Sequence, residues 1–559
     1  MRFPFRVMCL FCLLCLGMSA FAQTSNVINV VDFGAIPDDR KDDTTPLRKA
    51  AEYCRKNPNT TLIIPPGVYQ LRDAAAEKLE QDIMNGKYGA DMERIIYTPY
   101  YPYVKGLDFV GAKDLNIQAN GAILTCEGWM EPVSFSNCER VSLTGLTIDY
   151  KRKPFSEGIV TTIEDDYFDV QFRSERTIKD EMPFCRATFW MKDKNRLFPE
   201  PIYFPKKEIL KDNKVRIHQK ISKKLQGAAF GVNHSFHFRP AILVLDSRQV
   251  LLNNVTIHSQ PGMGVVGFDS EDITLNQVAI IPAPGSHFST NTDATHFACC
   301  KGLVRFDGCR FQAQGDDATN VHGYYQTITR AEKNEAVIQV KAGTYTHAQV
   351  LDAPEIGDEL ELVEISTLKS VRSYTVEKVI PNRASFDSQV TLSDTLPDNY
   401  NNYYLMNITK LPRVEFENCI VNSHLARGIL IKTRDVLVKN NVFRHCTGTA
   451  IHIGAEANWH EGSHAKNVTV TDNIMIGCGS GAGGQGGASA IAVIIEARDV
   501  RNTYLHQNIT IKNNTIIGEG NHCGIYVANA SQVVLENNSI TNCQQKILMN
   551  SVTGISIKE

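Results

Sequence analysis

Apolar and polar residues alternate in short runs that recur along the chain, each with apolar residues at relative positions 0, 2 and 7 and usually Asn, Gly, Asp or Gln at position 4. The runs begin at Val141, Val250, Ile273, Val304, Val414, Val436, Val468, Ile509 and Val533, as in VLVKNNVF, ITIKNNTI and VVLENNSI from the 436, 509 and 533 starts. Alternation with period two marks a half-buried strand. The shortest spacings are 22, 23 and 24 residues, and longer ones carry insertions. Such a period predicts one coil of a parallel β-solenoid. The Asn-rich pair after each strand suits a sharp turn, because Asn tolerates left-handed backbone. Stacking predicts Asn440, Asp472, Asn513 and Asn537 above one another as a side-chain hydrogen-bonding ladder. Asn254-Val255-Thr256 falls on the same turn, so it reads as turn chemistry rather than a glycosylation site.

Two long stretches break the period. Residues 151–240 and 323–408 carry alternating runs such as IVTTIEDDYFDVQF and AVIQVKAG between polar turns, which predicts two inserted antiparallel β modules, barrel-like in form. Near the start, Asp42 or Asp43 can cap a helix through about Arg55 that covers the open end of the solenoid. The stretch GCGSGAGGQGG from Gly477 lacks the Gly-Lys-Ser/Thr ending of a phosphate-binding loop and reads as a flexible loop. Arg2 and Arg6, the apolar run Val7 to Leu16 and Ala20-Phe21-Ala22 predict an export signal over residues 1–22. The expected organisation is therefore all-β: signal 1–22, cap and first coils 23–150, module 151–240, coils 241–322, module 323–408, and coils 409–559.

Composition narrows the partners. With 559 residues, 43% of them apolar and 21% charged, the chain can bury a sizeable core, and a mostly disordered protein is excluded. Lys plus Arg number 58 against 61 Asp plus Glu, without a basic stripe, so nucleic acid is not an expected partner. No stretch after the signal is apolar for 18 residues, so no membrane-spanning helix is expected. Loss of the signal would leave an exported protein, periplasmic, secreted or on the cell surface. Its cysteines repeat at solenoid positions, Cys309 with Cys419 and Cys446 with Cys478 and Cys543, which predicts buried free thiols rather than a disulfide framework.

Candidate chemistry lies in NTDATHF, with Asp293, and QGDDATNVHG, with Asp316 and Asp317. Asp316 stands 12 residues after Val304; Asp293 stands 20 after Ile273, in a coil 8 residues longer than its predecessor. If all 8 form the loop ahead of Asp293, then Asp293 and Asp316 stack about 4.8 Å apart at their α-carbons, with Asp317 beside them. Arg427 stands 13 after Val414, level with Asp317. Carboxylates this close push at least one carboxyl pKa upward, the condition for an acid and a base to coexist. Solvated turn carboxylates paired with Arg427, or a Ca²⁺ site, remain open readings of the same residues.

NTD followed 23 residues later by the first Asp of GDD, on a solenoid opened by VVDFGAIPDD, resembles the polygalacturonase-like clan of inverting glycosidases. NTDATHF with QGDDATNVHG and two β insertions is similar to glycoside hydrolase family 110, the exo-acting α-1,3-galactosidases, across nearly the whole chain. That resemblance implies a right-handed parallel β-helix and hydrolysis of terminal α-1,3-linked galactose, as in the blood-group B determinant, with inversion and with neither metal nor cofactor. It also implies catalytic roles for Asp293, Asp316 and Asp317, with Asp316 as the acid by analogy with polygalacturonases. The expected partner is a glycan with terminal α-galactose. Arg427 and Lys432 resemble the Arg/Lys pair of polygalacturonase grooves. Glu456 and Trp459, in a lengthened coil, are expected to project from a loop, Glu456 as a hydroxyl clamp and Trp459 either as a sugar-stacking face or as loop packing. His322 either bonds the acid or ends a strand. Tyr97, Tyr100, Tyr101 and Tyr103 either wall the pocket or pack under the solenoid. A Ca²⁺-dependent polysaccharide lyase and a non-catalytic glycan-binding solenoid are the alternatives.

Overall fold

The structure is a computed structural model that describes residues 26–558 apart from 175, 342–345, 480, 482–488 and 498–502. The export signal, and most of the Gly-rich stretch after Gly477, lie outside the described residues. No helix among the described residues is long and apolar enough to cross a membrane.

The chain winds into a β-helix whose coils contribute to three parallel ladders. All nine repeat starts stack in one of them: Val141 pairs with Val250, Val250 with Ile273, Ile273 with Val304, Val304 with Val414, Val414 with Val436, Val436 with Val468, Val468 with Ile509 and Ile509 with Val533. Leu115 and Ile555 extend the same ladder beyond the runs the pattern identified. A second ladder includes Val265–Phe268, Thr295–Ala298, the start of Thr319–Glu332 and Ile429–Lys432. The third holds eleven strands, from Gly67–Arg72 to Ser539–Thr541. Inward Val, Ile, Leu and Phe side chains fuse into one core along the axis. The described cysteines are free, and all but Cys543 are buried.

The turn after the first ladder corrects one expectation. Asn440, Asp472, Asn513 and Asn537 do adopt left-handed backbone, with φ from 51° to 58°. The continuous amide ladder, however, runs one residue later, through the buried Asn441, Asn473 and Asn514 to the half-buried Asn538, at 2.9–3.0 Å. Left-handed geometry turns the first side chain outward and the next one into the core, where buried amides must find partners.

Helix Thr44–Lys56 buries Leu47, Ala50, Ala51 and Cys54 in the main core at the N-terminal end. The Asp42 carboxylate accepts from the Thr44 N–H, while Asp43 accepts from Ile36 and Gln70. Between Phe155 and Asn233 lies an eight-stranded antiparallel sheet with its own aromatic core around Phe168, Phe189 and Phe230. Its outer strands Ile202–Tyr203 and Lys207–Ile209 belong to one segment that pairs with Arg186–Met191 at its start and with Lys214–Ile217 at its end, so the sheet curls round in barrel-like form. The second insertion closes as well. Strands Thr319–Glu332, Glu335–Gln339, Asp387–Leu392, Ser370–Asn382, Glu359–Glu364 and Tyr403–Asn407 pair in that cyclic order.

Candidate active site

The site forms where the third ladder turns into the second. Asp293, Asp317 and Arg427 each stand two residues ahead of a second-ladder strand, and Thr295 pairs with Thr319 and Thr319 with Ile429. Asp293 is therefore level with Asp317, and not with Asp316 as the coil spacing predicts. The error is one residue. Glu271 pairs with Lys301 but Ile273 with Val304, so Gly302, at φ +62°, is a bulge that takes up one of the coil's 8 extra residues. Arg427 is level with Asp317, as the spacing predicts.

One carboxylate oxygen from each of Asp293, Asp316 and Asp317 lies within 4.8 Å of the others. Asp293 and Asp317 are buried, and Asp316 is half-buried. Asp317 accepts from the Arg427 backbone N–H at 2.6 Å and faces its guanidinium at 3.1 Å. Asp293 lies 2.8 Å from His296 Nδ1. No hydrogen-bond donor reaches the Asp316 carboxyl among the described residues. Burial, and then Asp316, push the Asp293 carboxyl up to about 7. Burial and the two neighbouring acids raise Asp317 as well, against the pull of Arg427. The protons that Asp293 and Asp317 hold near neutral pH belong to the pair rather than to either residue.

Beneath the aspartates, Lys432 is fully buried between Glu456, at 2.6 Å, and Glu461. Glu456 also faces Arg427 at 3.6 Å, and although burial works the other way, Lys432 and Arg427 hold it below the usual carboxylate range. Glu456 is thus part of a buried charge network and does not project from a loop. Lys432 is enclosed in the same network, with none of its side chain exposed. Trp459 ends a short 3-10 turn with 66% of its surface exposed and no described contact to the aspartates. His322 neither bonds Asp316 nor ends its strand: its Nε2 lies 2.7 Å from His296 Nε2, and its Nδ1 donates to the Gly323 carbonyl. Burial lowers both rings, His322 to about 3.

Of the four tyrosines, Tyr97 approaches the site, stacking on His237 and donating to the His347 carbonyl. Tyr103 covers Arg239, Tyr101 meets Tyr88, and Tyr100 is exposed. Sequence reasoning missed His296, His347 and Glu461. His296 carried a local signal, three residues after Asp293 in NTDATHF. His347 and Glu461 sit in segments without a repeat and are brought in only by tertiary folding.

No protein-family model matches the chain. Alpha-1,3-galactosidase A of Bacteroides fragilis is 27% identical to it, covering 94% of this chain and 89% of that protein. Alpha-1,3-galactosidase B of Bacteroides thetaiotaomicron is 26% identical, covering 83% and 78%. The chain is homologous to proteins named alpha-1,3-galactosidase. Among solved structures, the Family 28 exopolygalacturonase of Yersinia enterocolitica superposes with a TM-score of 0.40 at 13% identity, over 95% of this chain and 78% of that one.

Proposed function

We propose that the chain is an exported, exo-acting and inverting glycoside hydrolase that releases terminal α-1,3-linked galactose, built on a right-handed β-helix. The observation that carries this reading is the trio of carboxylates gathered on neighbouring coils over Arg427. The names of the homologues supply the sugar and the linkage.

The roles follow from which carboxyls are held. Asp293 and Asp317, each fixed by a neighbouring N–H, position a water and take its proton as its oxygen bonds to C1. Asp316, half-buried and without a donor on its carboxyl among the described residues, gives its proton to the glycosidic oxygen as the C1–O bond breaks. The galactose leaves as the β anomer, and the remaining glycan gains a hydroxyl.

A retaining route is the second reading, because carboxyl groups of inverting pairs usually stand about 6.5–9.5 Å apart and those of retaining pairs about 5–5.5 Å. The oxygens here approach within 4.8 Å. In that route a carboxylate bonds to C1 as the glycosidic C1–O bond breaks and the leaving oxygen takes a proton, then water displaces the carboxylate and the galactose leaves as the α anomer.

Incubation with a B-type trisaccharide and with linear Gal-α-1,3-Gal, followed by chromatography of free galactose, tests the activity. Asp316→Asn should lose about 10²–10⁴-fold in kcat. Absence of galactose release by the wild-type protein from both substrates would overturn the substrate assignment.

A further inference from the structure

Beside the aspartates, four side chains from separate parts of the chain converge. His296 comes from Thr295–Ala298, His322 from Thr319–Glu332, His347 from the segment after barrel strand Glu335–Gln339, and Glu461 from Glu461–Gly462, which pairs with Gly323 and Tyr324. One donor atom of each lies within 4.8 Å of the others. We propose that these four residues bind one zinc ion, through His296 Nε2, His322 Nε2, His347 Nε2 and Glu461 Oε1.

Donor type and spacing fit the ion. Three imidazoles and a carboxylate are a zinc ligand set, and bonds of about 2.0–2.1 Å in tetrahedral geometry place ligand atoms about 3.3–3.4 Å apart. The separations are 2.7 Å between the His296 and His322 nitrogens, 3.7 Å from His322 to Glu461 and 3.9 Å from His347 to Glu461. These three bracket the required span and the other separations stay within 4.8 Å, so side-chain shifts of about an ångström close the shell.

The outer contacts point the same way. His296 Nδ1 faces the Asp293 carboxylate at 2.8 Å, and His322 Nδ1 donates to the Gly323 carbonyl at 3.0 Å. Glu461 Oε2 accepts from Asn320 at 3.1 Å and meets Lys432, which leaves Oε1 facing the imidazoles. A metal-bound histidine usually has its other nitrogen on a carboxylate or carbonyl. With its Nδ1 donating to a carbonyl, His322 turns its Nε2 lone pair toward His296 Nε2 at 2.7 Å, a contact that either a metal ion or a proton on His296 satisfies. Charge agrees: Arg427 pairs with Asp317 and Glu456, and Lys432 with Glu456 and Glu461, while Asp293 and Asp316 have no Lys or Arg ion pair among the described residues. The ion would pin the barrel segment carrying His347 to the coils carrying the aspartates. No bond-making step passes through it, so this inference stands or falls apart from galactose release.

The test uses the whole protein, stripped with chelator and titrated with Zn²⁺ by calorimetry and with Co²⁺ by visible absorption. One equivalent should bind, with the ligand-field bands of a four-coordinate Co²⁺ site and a rise in Tm on zinc addition. His347→Ala removes a half-buried ligand with little change to the core and should weaken binding more than about 100-fold, beyond the loss of an outer contact. His347→Cys should restore it. Failure of the wild-type protein to bind one equivalent, or equal binding by wild type and His347→Ala, would overturn the site and leave a proton between the two imidazoles.

Discussion

Asp316 stands apart from the two other aspartates because both of those are held by neighbouring N–H groups. That difference predicts how substitutions respond to the leaving group. An acid matters less when the leaving group is already good, so Asp316→Asn should keep most of its activity on a nitrophenyl α-galactoside while losing it on the trisaccharide. Asp317→Asn should lose activity on both. Equal losses for the two variants on both substrates would contradict the assignment. Lys432 makes a second prediction at this scale. Lys432→Met leaves Glu456 and Glu461 buried without their cation and should cost about 3–5 kcal/mol in urea unfolding.

At the scale of the elements, the coil is held by what happens just after each first-ladder strand. The Asn473 side chain donates to the Val438 and Thr471 carbonyls and to Asn514 Oδ1, and it accepts from Asn441. Asn473→Leu strands several of these groups in the core and should lower stability by more than about 2 kcal/mol, read as a lower urea midpoint. Asn440→Ala, at the outward position, should cost far less. This part of the fold was legible in the sequence because a period fixes register: one residue of slip would turn every inward Val and Ile outward. What the period could not convey was the bulge at Gly302, a single residue that shifts Asp293 from level with Asp316 to level with Asp317. Nor could it say which strands meet to close the inserted modules, since closure depends on pairing between strands far apart in sequence. The aspartates and Arg427 were legible as a cluster because they ride on the repeat. His347, which does not, was invisible.

For the whole molecule, burial of neutral histidines sets the response to acid. Burial lowers His234 to about 3 and His506 to about 4, against an ordinary value near 6.5. The unfolded chain takes up their protons first. Their contribution is therefore complete above about pH 6.5 and is lost as pH falls through 6.5 toward 3–4, at about 1.4 kcal/mol per pH unit for each residue. His234→Gln should flatten the fall of Tm between pH 7 and 4 relative to wild type; an unchanged slope would contradict the linkage. The architecture also explains how one site draws on so much chain. Coils from Thr295–Ala298 to Ile429–Lys432 lie side by side although the closed barrel intervenes in sequence, so Asp293, Asp317 and Arg427 meet on a rigid ladder. The role proposed for this meeting is hydrolysis of α-1,3-galactosides with inversion. Proton NMR during the first turnovers on a B-type trisaccharide tests it most directly: β-galactose should appear first and mutarotate afterwards, whereas α-galactose appearing first would contradict the account.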